Sequence, residues 1–112
     1  MDVLTDAFSE LQRQFPGAKQ CQEGGTIFYF IPSLRLPAGC VPEQTDALLC
    51  PTARDGYPSR LFFAVRVEGP EVRNWNGNSY ILSRQWYAFS WADIQGLSLV
   101  DLVFAHVRAL LP

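Results

Sequence analysis

Apolar positions recur at two different periods along this chain. At its start, Leu4, Phe8, Leu11 and Phe15 follow i, i+4, i+7 and i+11, one stripe of a helix predicted over residues 2–15. Asp2 suits the N-cap, Asp6 the first turn and Arg13 the last, and Pro16-Gly17 ends it. The same period returns over Ser98–Leu111. There Leu99, Leu102, Val103, His106, Val107 and Leu110 make a second buried stripe, and Ser98 with Asp101 three residues on resembles a capping box.

Between the helices the pattern shortens toward alternation. Residues 18–25 read as a polar connector ending in Gly24-Gly25. Thr26–Ile31 is a run of aromatic and β-branched residues, a buried strand whose pairing Pro32 limits at the far end. Ser33–Leu36 reads as a second short strand, residues 37–43 as a turn, and Thr45–Cys50 as the next strand. Residues 51–58 form a proline-restricted loop in which Pro58 forces Tyr57 into an extended conformation.

Arg60–Val67 is the strongest strand. Leu61, Phe63, Val65 and Val67 share one face, and Arg60, Phe62, Ala64 and Arg66 share the other. This predicts a one-sided sheet, packed on helices below and partly wet above. Residues 68–78 are irregular and contain the turn pair Asn76-Gly77. Tyr80–Leu82 and Trp86–Phe89 suit a small hairpin or an extended flap, and Trp91–Gly96 a helical turn closed by glycine. The expected architecture is a single α+β domain over residues 1–112: N-terminal helix, antiparallel meander of about four strands, irregular aromatic-rich flap, C-terminal helix.

Composition narrows the class. The 112 residues are 48% hydrophobic and 18% charged with net charge −2, a globular balance. No basic patch or charge run offers a phosphate backbone an electrostatic driving term, so nucleic acid is not an expected partner. No stretch approaches the ~20 apolar residues of a membrane span. The acidic, amphipathic start lacks the basic residues and apolar run of a signal peptide, so a cytoplasmic location is expected, with no membrane partner. Cys21, Cys40 and Cys50 are an odd set without metal spacing, which predicts reduced thiols and no metal site. No phosphate loop or GxGxxG is present, and no cofactor is expected.

Few residues stand out for chemistry. His106 lies on an apolar stripe and reads as a core histidine with one hydrogen bond. Cys50, between a strand and Pro51, reads as a buried thiol, whereas Cys40 in its Gly-Cys-Val-Pro turn is expected to be exposed. Ser79, Ser83 and Ser90 lie among tryptophans with no nearby histidine or lysine to activate them. Trp75, Trp86 and Trp91, with Tyr80, Tyr87 and Phe89, either fill the space under the last helix or face a partner.

One stretch adds a family to this picture. LPAGC…TDALLCPTARDGYPSRLFF resembles the core of bacterial members of the ubiquitin-conjugating (UBC-like) superfamily. Tyr57-Pro58 matches the Tyr-Pro that in this superfamily introduces a proline-bounded turn into the fourth strand. Trp86-Tyr-Ala-Phe-Ser90 resembles the short bacterial subgroup. The resemblance implies a UBC-like fold and a role in a bacterial ubiquitin-like modification pathway, carrying or docking a modifier. The implied partners are a ubiquitin-like modifier protein, an adenylating activating enzyme and a JAB-type peptidase.

The superfamily's acceptor cysteine follows the fourth strand, and here residues 68–91 contain neither cysteine nor histidine. Asn74, Asn76 and Asn78 are available as amide donors to an oxyanion. The remaining acceptor candidates are Cys50, Cys40 and Ser83, and the candidate binding residues are Tyr57, Trp75, Asn76, Trp86 and Trp91. The alternative is a non-catalytic UBC- or RWD-like protein-interaction module. A small enzyme using Cys40 or Cys50 is a third class.

Overall fold

The computed structural model describes residues 3–91 and 96–112, with side chains from Asp6 onward. The proposed cap Asp2, the side chain of Leu4 and the helical turn expected through residues 92–95 lie outside the described residues. Helix α1 spans Val3–Gln14. Six strands follow: β1 Lys19–Glu23, β2 Thr26–Arg35, β3 Gln44–Cys50, β4 Arg60–Phe63, β5 Gly77–Ile81 and β6 Arg84–Ala88. Helix α2 spans Leu99–Arg108, and the Ser98 hydroxyl caps it by accepting the Asp101 N–H.

The fold is α+β, as the two periods require. All six strands lie in one antiparallel sheet of order β1-β2-β3-β4-β6-β5. The first four form the expected meander. Its members differ from expectation, however. The polar connector at 18–25 is largely strand β1, paired with β2 through a Gly24-Gly25 turn in which both glycines have positive φ. The two strands expected on either side of Pro32 are one strand. It carries an irregularity between Ile31 and Leu34, where Ser33 adopts φ 49° and its N–H donates to Asp46 Oδ1 at 2.9 Å.

Strand β4 ends at Phe63, four residues earlier than expected, and Val65 beyond it is exposed. The aromatic-rich flap is only partly irregular. Its hairpin joins the sheet, inserting β6 beside β4.

Nor is the sheet one-sided. On the helix face, Leu11, Tyr29, Ile31, Ala47, Leu49, Leu61, Phe63, Val103, Val107 and Leu110 form the main core. On the opposite face, Phe28, Leu48, Cys50, Phe62, Ile81, Trp86 and Ala88 form a second one. Neighbours along β3 and β4 thus alternate between two dry faces, and each large side chain so buried contributes about 1.5–3 kcal/mol.

The sheet curls to enclose this second core. Trp86 on β6 meets Phe30 on β2 edge to face, with centroids 6.2 Å apart. The Leu82 N–H at the β5–β6 turn donates to the Glu23 carboxylate at the end of β1, 3.2 Å from either oxygen. Arg84 pairs with Asp46 at 3.0 Å across the same concave side.

Candidate functional site

The site is built on the loop between β3 and β4. Arg54 and Tyr57 exchange backbone hydrogen bonds of 2.8 and 2.9 Å. The residues between them, Asp55 and Gly56, both have positive φ, the geometry of a tight Asp-Gly turn. This turn sets the Tyr57 ring beside the first residues of β4. Arg60 opens that strand with its side chain 3% exposed.

The Arg60 guanidinium organises its neighbours. It donates to Asp55 Oδ2 at 3.0 Å and to Asn76 Oδ1 at 2.5 Å, and its Cζ lies 4.3 Å from the centroid of the Tyr57 ring. Arginine has no acceptor, so its contact fixes which end of the Asn76 amide is oxygen. The other end, Nδ2, donates to the Tyr57 hydroxyl at 3.0 Å. The same hydroxyl lies 2.7 Å from Ser90 Oγ.

The Asn74 carbonyl holds Asn76 and Ser90 in place, accepting the Asn76 N–H at 2.9 Å and the Ser90 N–H at 2.7 Å. Gly77 allows the close approach. A Cβ there would lie 3.0 Å from the Ala88 Cβ and 3.1 Å from Arg60 Cζ.

Two groups at or beside this network have altered acidities. Hydrogen bonds from Ser90 and Asn76, and then the Arg60 charge, pull the Tyr57 phenol below its ordinary value against opposing burial and Asp55. Behind Arg60, Ser59 Oγ lies 3.0 Å from His106 Nε2 on α2. Burial, reinforced by the Arg60 charge, lowers the His106 pKa to about 4, so the imidazole is neutral at pH 7. The Arg60 Nε is buried without a hydrogen-bond partner among the described residues.

The candidate residues divide. Tyr57 and Asn76 come together, bonded to each other. Trp75 is half-buried in an aromatic cluster, edge to face with Phe63 at 5.7 Å and Phe89 at 5.2 Å. Trp91 lies under the Arg73 guanidinium at 4.4 Å. Trp86 presents no surface to a partner: it is 1% exposed, and its indole N–H donates to the Ile81 carbonyl at 3.0 Å.

Cys50 is buried, with Sγ 3.5 Å from the Thr52 carbonyl. Cys40, expected to be exposed, is 3% exposed, and burial raises its thiol pKa away from the reactive thiolate. Its turn folds inward because Val41 bridges Glu68 through backbone hydrogen bonds of 2.7 and 2.9 Å. Ser83 is exposed at the hairpin tip with φ 62°. Cys21, on β1, is half-buried.

Arg60, Asp55 and Ser90 were not among the expected site residues. The Asp55-Gly56 pair was a legible turn signal, but no local pattern links Ser90 to Tyr57, 33 residues away. Among the described residues no group of three or more His, Cys, Asp or Glu is placed to hold a metal. A separate apolar cavity of about 580 Å³ lies between Phe15, Pro32, Leu34, Phe104 and Val107 and touches none of the site residues. No described helix is long and apolar enough to cross a membrane.

Comparison with known proteins finds no family model, no curated protein and no solved structure that matches the chain.

Proposed function

We propose that this chain is a UBC-like component of a bacterial ubiquitin-like modification pathway, acting in the cytoplasm. It docks a ubiquitin-like modifier or the modifier's adenylating enzyme and does not carry the modifier on a cysteine. The observation that supports the docking role is the Tyr57-Pro58 turn. It sits at the junction of the third and fourth strands of a helix-flanked meander, with its phenol held by Asn76. The burial of Cys40 and Cys50 supports the second half of the reading, because a thiol transferring an acyl group must meet its donor as an accessible thiolate.

The test uses the adenylating enzyme and ubiquitin-like protein encoded nearest this gene. With ATP, the chain is expected to co-elute with the charged enzyme, and Cys40→Ser and Cys50→Ser variants to do so equally. Failure to associate, or a reductant-sensitive adduct lost in either variant, overturns the reading. A JAB-type peptidase is a further expected partner, checked by the same co-elution.

A further inference from the structure

We propose that Ser90 is an acyl acceptor: its hydroxyl takes the C-terminal acyl group of a protein modifier from a thioester donor, and Tyr57 relays the proton. The inference rests on the docking role proposed above and adds a covalent step to it.

Serine is a weak nucleophile unless a neighbouring group takes its proton. Two serine hydroxyls contact a titratable ring in the described structure. Ser59 and His106 are both buried in the core. Ser90 and Tyr57 are both partly exposed, 2.7 Å apart, at a place a second protein can reach. Ser83, by contrast, has no titratable side chain hydrogen-bonded to it among the described residues.

The pair is also pre-positioned. The Ser90 backbone is tied to the Asn74 carbonyl, and Tyr57 is fixed by its own tight turn and by Arg60 against its ring. Asn76 donates to the phenolic oxygen, leaving that oxygen to accept from Ser90 and to direct its own proton outward. The phenol's pKa, drawn below its ordinary value, fits an oxygen whose hydrogen bonds favour negative charge. The second N–H of Asn76 Nδ2 is available to the oxyanion that forms as the acyl carbon becomes tetrahedral.

The step balances without an oxidant or reductant. Ser90 Oγ bonds to the thioester carbonyl carbon, and the carbon–sulfur bond of the donor breaks. The serine proton passes to the Tyr57 oxygen, and the phenolic proton passes to the departing sulfur. The products are an oxyester on Ser90 and a free thiol on the donor. An oxyester is less reactive than a thioester, so the transfer runs toward serine.

The experiment incubates the full chain with the neighbouring adenylating enzyme, its ubiquitin-like protein and ATP, scoring association and adduct separately. The expected adduct resists reductant, is cleaved by hydroxylamine and maps by mass spectrometry to Ser90. Ser90→Ala abolishes it while association persists. Ser90→Cys converts it to a reductant-labile one, and Ser83→Ala leaves it unchanged. Tyr57→Phe slows its formation about 100-fold, the scale of a lost proton relay. Association without an adduct, or an adduct that survives Ser90→Ala, overturns the inference alone. Absence of association overturns the docking role and the inference together.

Discussion

Ser59 Oγ and His106 Nε2 meet at 3.0 Å, and both residues are buried. This contact joins the strand that carries Arg60 to the C-terminal helix. Burial of the imidazole, reinforced by the Arg60 charge, makes the helix sensitive to pH. The unfolded imidazole takes up a proton near pH 6.5, whereas the folded one resists until about 4. Between those values the unfolded state binds more protons, so stability is complete above pH 6.5 and falls as the pH drops. The loss from this group alone reaches about 3 kcal/mol by pH 4. Urea unfolding of wild type and His106→Gln across pH 7 to 4 measures it. The gap between the two proteins should change by that amount, and a constant gap would refute the assignment.

Gly77 and Arg60 are sterically coupled. A methyl group at Gly77 presses on Ala88 and on the Arg60 guanidinium. Gly77→Ala is expected to cost about 1–3 kcal/mol in urea unfolding, as overpacking does. It should also displace Arg60 from Tyr57, read as altered tyrosine fluorescence or ring shifts in NMR spectra. Asp55→Asn, at the half-exposed end of the same network, should cost less than about 1 kcal/mol.

The three thiols should report their burial directly. Cys21 is half-buried, whereas Cys40 and Cys50 are within the core. A thiol-specific reagent is expected to modify one cysteine rapidly in the native protein and all three after unfolding. Rapid native labelling of Cys40 would contradict the inward turn held by Val41 and Glu68.

Much of this architecture was legible in the sequence, for physical reasons that differ by element. The helices announced themselves because one face of each is buried. Strand β1 did not: its residues are mostly exposed, and it owes its place to backbone pairing with β2. Only Gly24-Gly25 signalled the hairpin. In the sequence Arg60 reads as facing a partly wet surface, because a charged side chain suggests water. Its burial depends on Asp55 and the Tyr57 ring from one tight turn and on Asn76 from beyond β4, which the chain brings together only on folding. Trp86 was ambiguous because the second core exists only after the sheet curls, and curvature leaves no periodic trace. The Tyr57–Ser90 contact is of the same non-local kind.

Arg73 closes the end of α2. Its guanidinium donates to the Ala109 carbonyl at 2.6 Å and the Leu111 carbonyl at 3.1 Å while covering Trp91. The first is the carbonyl of the α2 C-cap, which has no partner within the helix, and the second belongs to the segment just beyond it. Arg73→Ala should cost about 1–3 kcal/mol, since charge-assisted hydrogen bonds and a stacked cation are lost together. Arg73→Lys should recover only part of it, because an ammonium cannot reproduce the fork. Thermal unfolding of the three proteins decides the order.

The β5–β6 hairpin is joined to β4 at a single register pair, Phe63 with Tyr87. Side chains, chiefly Trp86 and the Glu23 contact at its tip, hold it against the remaining strands. Should those contacts fail, the hairpin would leave as one body, since five register pairs hold it to itself and one to β4. Its departure would bare the open border of β4 and a greasy concavity at the same moment.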